Sequence, residues 1–291
     1  MRFAITCVDR CLPIFEALIA EGWEPVKLFT SPPGPLVSGN SATIARAVEL
    51  DIPIQISRMQ DGDLKALGDA GCEVLICASY NWKIGDWRPH LKYGLNFHPS
   101  PLPLARGPYP AFRAILEQRR SWGVACHKLE PRFDVGDILD AEDFALAEDE
   151  CHESLSLKTQ MAFGRLAHRI GRNVEALWDA ARPQGRGTYW KMSTDDDRLL
   201  DFNAPVETIM RQVRAFGLTE TIARIANSVI YVRRAVGWTE AHQHAPGAVV
   251  HTDGRRWVIA VKDGYVALLE WSPITLAATE LVGRKTPATE L

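Results

Sequence analysis

With 291 residues, 46% of them apolar, the chain can fill one large core or two modest ones. A formal net charge of −3 supplies no general attraction for nucleic acid or an anionic membrane. The opening Met1-Arg-Phe-Ala-Ile-Thr6 lacks a secretory apolar region and no run is long enough to span a bilayer, so a soluble, cytoplasmic protein is expected. Phe3–Val8 reads as a first strand, and Leu12–Ala20 as a helix stopped by Gly22. Pro25–Thr30 is a second strand, ended by the breaker cluster Ser31-Pro-Pro-Gly-Pro35. Helices are expected over Ser41–Leu50 and Asp63–Ala70, with a short strand near Ile54–Ile56 between them and a buried strand at Val74–Ala78. This alternation predicts an α/β fold, a Rossmann-like, mostly parallel sheet with helices on both faces. The six cysteines, Cys7 to Cys151, form no Cys-x-x-Cys pair and no disulfide rhythm, which predicts buried free thiols.

The stretch Gly94–Asp137 carries the polar pattern that stands out. Leu95 and Phe97 alternate with Asn96 and His98, which puts the amide and the imidazole on one face of a strand. Pro99, Pro101 and Pro103 then end the ladder, because none has a backbone N–H. Further on, Asp134 precedes Val135-Gly136 and a new apolar run. Pro110–Glu117 reads as a short helix, Trp122–Leu129 and Asp137–Phe144 as strands, and Glu153–Ala180 as a long amphipathic helix broken near Gly171. His127, alone on its strand, is taken as a structural residue. Arg182-Pro-Gln-Gly-Arg-Gly-Thr188 has linker composition. Beyond it come a helix at Val206–Phe216 and alternating segments at Val229–Val232, Ala248–His251, Trp257–Val261 and Val266–Glu270, with turns at Asp253-Gly254 and Asp263-Gly264. They predict a small antiparallel, OB-like, partly open barrel. The division is therefore 1–181 for the α/β part, 182–204 for the linker and 205–291 for the barrel.

Asn96-x-His-Pro-Ser-x-Leu-Pro-x-x-Arg-Gly107 followed by Asp134-x-Gly136 resembles the folate-dependent formyltransferases. Gln184-Gly, Thr188-Tyr-Trp-Lys191, Asp201-Phe202, Arg214-Ala-Phe216 and Pro246-Gly-Ala-Val-Val250 resemble the linker and barrel of the methionyl-tRNA branch. The resemblance implies 10-formyltetrahydrofolate as formyl donor and an amine as acceptor. In that chemistry the carbonyl oxygen gains negative charge while the amine sheds a proton. Asn96 and His98 are then candidate oxyanion donors and Asp134 the proton acceptor. The loop Ser79–Lys83 takes the place of the family's pterin cradle, which makes Tyr80, Asn81 and Trp82, with Phe133 beside the acid, candidate donor contacts. Arg10, Ser100, Arg106 and Gly107 are candidate acceptor contacts, each against an ordinary reading as a solvated charge, a turn former or a shape-setting glycine.

Metal chemistry is not expected: His242 and His244 lie close together without further ligands at metal spacing. Ser100 lacks a nucleophile elbow. Ser31–Ser41 contains no Lys or Arg, where the tRNA enzymes carry a basic insertion. A small amine, such as an amino-sugar nucleotide or a hydroxyornithine-type compound, is accordingly the favoured acceptor. Methionyl-tRNA stays as the alternative partner, and a donor hydrolase or folate-binding module as the alternative class. Composition leaves the oligomeric state open.

Overall fold

The computed structural model describes residues 1–32 and 39–275. Most of the breaker cluster after the second strand, and most of the closing segment after Pro273, lie outside the described residues. The first sheet is built from Arg2–Cys7 (β1), Glu24–Phe29 (β2), Ile54–Gln55 (β3), Val74–Ala78 (β4), Tyr93–His98 (β5), Ser121–Lys128 (β6) and Ile138–Ala145 (β7). Helices Leu12–Ala20 (α1), Ser41–Glu49 (α2), Asp61–Asp69 (α3), Ala111–Leu116 (α4) and His152–Asp179 (α5) connect or cover it. The strand order is β3-β2-β1-β4-β5-β6-β7. Pairing is parallel from β3 to β5 and antiparallel for β5–β6 and β6–β7. β1 and β4 are central, and their continuous apolar runs are buried on both faces, as a covered parallel strand requires. The partly charged β7 alternates half-buried and exposed positions along most of its length, as an edge strand does. The chain runs outward from β1 to β3 and then returns to β4, so a crevice opens past the C-terminal ends of β1 and β4.

The predicted mostly parallel sheet is present, and α1 and β4 begin and end where the apolar periodicity places them. The break in α5 sits at Asn173, whose φ is −138°, and not at Gly171. Gly171 serves a different purpose: a Cβ there would stand 3.0 Å from the Glu21 side chain, so the missing side chain lets α5 lie close to α1.

The last third contains Asp195–Arg198 (α6), Val206–Phe216 (α7) and Thr221–Ile225 (β8), Ser228–Thr239 (β9), Val249–Thr252 (β10), Trp257–Val261 (β11) and Gly264–Ser272 (β12). These strands form a five-stranded antiparallel sheet in the order β10-β11-β12-β9-β8. Ile209 and Val213 of α7 share its core with Ile230, Val266 and Leu268. β8 and α6 were not foreseen. The β8–β9 turn is Ala226-Asn227, with alanine at φ 50°, where hairpin rules look for Asn or Gly. His242 donates from Nε2 to the carbonyls of Val261 (2.7 Å) and Gly264 (3.0 Å), a structural use.

The segment 182–204 is pinned to both parts. Arg182 bridges to Ile138, Tyr189 to Arg106 and Leu199 to Ile222. Phe112 of α4 and Phe216 of α7 stack 4.9 Å apart in a cluster that also holds Trp122, Leu155 and Trp190. All six cysteines are free, and five are buried. Among the described residues no helix is long and apolar enough to cross a membrane.

Candidate active site

β5 delivers the first two groups. Asn96 and His98 lie on the same face of the strand, and the Pro-rich exit carries the chain away, through a cis bond at Leu102–Pro103. Two acceptors face the ring of His98: the Ala105 carbonyl, 3.1 Å from Nε2, and Asp134 Oδ1, 3.3 Å from Nδ1. A neutral imidazole has one N–H for these two acceptors, and the imidazolium has two. Burial pushes the His98 pKa down, while the Asp134 charge pulls it up. Taking a proton therefore completes the hydrogen bonding of this pair, against the cost of burying charge.

Asn96 donates from Nδ2 to His127 Nε2 at 2.8 Å. His127 donates from Nδ1 to the Lys128 carbonyl at 2.8 Å, and its Nε2 is 3.8 Å from Asp134 Oδ1. His127 is thus satisfied, as expected of a structural residue, and it also stands between the other two polar groups of the site. The antiparallel register that sets Asn96 opposite His127 was the missing signal.

Asp134 occupies a turn at φ 57°, outside the region an L-residue prefers. Three contacts hold it there. The Gly107 N–H donates to Oδ2 at 2.9 Å. Gln184 donates from Nε2 to the carbonyls of Asp134 (3.0 Å) and Gly136 (2.7 Å). Arg106 in turn donates from Nε to Gln184 Oε1 at 2.9 Å. Gly107 has φ 103°, and a Cβ on it would stand 2.4 Å from the Trp190 carbonyl, so glycine is required where the chain must present that N–H. Burial by itself raises the Asp134 carboxyl, but the nearby imidazoles of His127 and His98 and the Gly107 N–H outweigh it and hold the pKa at about 2.

These groups open into a cavity of about 750 Å³. Tyr80, Asn81, Trp82 and Phe133 all line it. Tyr80 accepts the Met59 N–H on its hydroxyl (2.6 Å), and its ring packs edge-on to Trp82 at 5.2 Å. Asn81 and Phe133 are exposed at the rim. Arg10 and Gly107 also line the cavity. Two expected substrate contacts are not brought to it. Ser100 is fully buried and its hydroxyl donates to the Leu104 carbonyl (2.8 Å). Arg106 lines a separate outer groove, its guanidinium committed to Gln184 and to the Gly185 carbonyl. Gln184 entered the sequence reading only as part of the linker resemblance, and nothing there marks it as the residue that props up an acid fifty positions earlier.

Residues 192–282 match the family described as "Formyl transferase, C-terminal domain". A methionyl-tRNA formyltransferase of Treponema denticola is 30% identical over 233 residues, covering 74% of this chain and 72% of that protein. Among solved structures, HypX from Aquifex aeolicus superposes with a TM-score of 0.67 at 17% identity over 93% of this chain, which spans 44% of that longer protein. An N-formyltransferase from Helicobacter canadensis, solved with folinic acid and dTDP-3-aminofucose, gives a TM-score of 0.62 at 13% identity, covering 93% of this chain and 99% of that one. At such identities the two structures speak for the fold alone, whereas the T. denticola relative speaks for kinship. This chain belongs to the folate-dependent formyltransferase family and is a formyl-transferring enzyme.

Proposed function

We propose that the enzyme passes the formyl group of 10-formyltetrahydrofolate to the amine of a small metabolite, with Asn96, His98 and Asp134 as the reacting constellation. The observation that carries this reading is the convergence of the three, bridged by His127, at one cavity. The cavity volume lies in the range of small-ligand sites. Tyr80 and Trp82, with buried Trp87 further in, give it aromatic walls that suit a flat heteroaromatic ring, with Asn81 and Phe133 at the rim. When bound, the donor supplies an activated formyl carbon. The protein supplies the rest.

Asn96 spends one amide hydrogen on His127 and keeps the second for the oxygen on which negative charge grows; one such donor is worth on the order of 10²–10³ in rate. His98, expected as an oxyanion donor, turns its two ring nitrogens to the Ala105 carbonyl and Asp134, so in this reading the His98–Asp134 pair takes the proton that the amine sheds. Nδ1 of His98 is the receiving edge, and the carboxylate beside it stabilises the charge that arrives. Gly107 fixes the second oxygen of Asp134, so the carboxylate cannot turn away from the imidazole. In this reading residues 1–181 perform the chemistry, 182–204 brace it, and 205–291 form the OB-like companion.

A small acceptor is favoured by the net charge of −3 and by the absence of Lys and Arg from Ser31–Ser41. The second reading, charged initiator tRNA, is favoured by the 30% identity to a methionyl-tRNA formyltransferase. Release of tetrahydrofolate from 10-formyltetrahydrofolate, followed with a panel of amines and with charged initiator tRNA at two salt concentrations, tests both. Turnover with a small amine supports the proposal. Turnover with tRNA alone, collapsing as salt rises, replaces it by the second reading. Formate production without any amine makes the protein a hydrolase and overturns transfer.

A further inference from the structure

Beside Ser79 at the start of the donor loop, the same cavity is also lined by the turn after β1, by α4 and by the first turns of α5. The charged group on this side is Arg10. The guanidinium of this half-buried residue donates to Ser79 Oγ at 3.1 Å and lies 5.2 Å over the ring of Tyr109. Both partners are neutral, and among the described residues no carboxylate lies within ion-pairing distance of it. The adjacent acid, Asp9, is committed elsewhere: its Oδ1 accepts from the Thr43 N–H (2.9 Å) and hydroxyl (3.0 Å).

A cation withdrawn from water without a counter-charge is costly, and a ligand anion removes that cost. The geometry around Arg10 holds it in place for such a ligand. Arg10 and Ser79 follow β1 and β4, the two strands that flank the reversal of strand order, where open α/β sheets gather ligands. Tyr109 adopts φ 50°, a conformation unfavourable for an L-residue, and in it supports the guanidinium with its ring face. The other titratable wall is His152, stacked on Phe112 at 5.3 Å. Burial pushes its pKa down and the Arg10 charge pushes the same way, against an upward pull from Glu153. Ser156 and Gln160, one turn apart on α5, add neutral hydrogen-bonding groups to the same wall.

We propose that Arg10 anchors an anionic group, a carboxylate or a phosphate, carried by the acceptor close to its reacting amine. The acceptor is then of the amino-acid or aminoalkyl-phosphate type. A neutral amine leaves Arg10 without a counter-ion, and an aminoacyl-tRNA, whose neighbouring carboxyl is an ester, has no anion beside its amine and only backbone phosphates further off. This inference rests on the proposed transfer to a small amine and narrows its acceptor.

The test uses the full-length enzyme, 10-formyltetrahydrofolate and matched pairs: amino acids beside their methyl esters, and aminoalkyl phosphates beside the parent amino alcohols. The anionic member of the preferred pair should exceed its neutral partner in kcat/KM by about 30-fold or more. That gap should vanish in Arg10→Met and partly return in Arg10→Lys. Whether the carboxylate or the phosphate series responds identifies the anion. Equal use of both members of every pair, or a gap that survives Arg10→Met, overturns the proposal. If no small amine turns over, the transfer reading has failed, and Arg10 is judged separately by calorimetric titration with acetate and inorganic phosphate. Binding to the wild type that is lost in Arg10→Met supports an anion site, and absence of binding to the wild type overturns it.

Discussion

At the scale of single residues, the proposed chemistry gives one acid and one imidazole a shared task. Asp134→Asn keeps the size of the side chain and removes the negative charge that makes His98 Nδ1 a worthwhile place for a proton. Turnover should fall by about 10²–10⁴ while donor affinity stays near wild type, as equilibrium binding and single-turnover rates would establish. A pH dependence of stability also follows. The native Asp134 pKa of about 2 lies below its ordinary value, so its stabilisation is complete above about pH 4 and disappears as pH falls toward 2. The amount is about 2 kcal/mol. His98, depressed by burial, resists the proton that the unfolded chain takes up below about pH 6.5, so it too lowers stability toward acid. Urea denaturation between pH 2 and 6 should show wild type losing its advantage over Asp134→Asn at the acid end. Of these residues, the shared face of Asn96 and His98 was legible from strand alternation, whereas Asp134, in a turn outside any periodic element, was singled out only by the family resemblance. Ser100 and Arg106 were misplaced because local backbone and linker carbonyls or amides consume their polar atoms, a competition that spacing does not display.

At the scale of elements, the central strands and α7 follow from apolar periodicity, and the site's support does not. β8 was hidden by brevity and by an alanine at a left-handed turn position. His127 depended on an antiparallel register that local pattern leaves open. The loops that hold Asp134 give two predictions. Gly107→Ala places a methyl group against the Trp190 carbonyl and strains a φ of 103°, so it should cost about 1–3 kcal/mol in thermal unfolding and lower kcat by moving the N–H that fixes the acid. Gln184→Ala leaves the carbonyls of Asp134 and Gly136 without their donor, at a cost of about 1–3 kcal/mol. Its kcat should fall with the donor KM little changed, because the amide touches the turn and not the cavity.

For the whole molecule, the two sheets share an aromatic seam at Phe112 and Phe216. Phe216 is buried against α4, and Phe216→Ala should cost about 3–5 kcal/mol. Calorimetry of the wild type should give a single unfolding transition, since a cluster contributed by both parts couples their melting; two well-separated transitions would count against that coupling. The brace from Arg106 through Gln184 to the Asp134 turn has a consequence for anyone wishing to recombine such proteins. A crossover placed before position 184, at the start of a region that looks like neutral joinery, takes that side chain from the other parent. The chimera would then carry the proposed reacting residues on an unsupported turn, so an exchange of the last third that keeps them braced cuts after Tyr189 and retains the host's own Gln184, Thr188 and Tyr189.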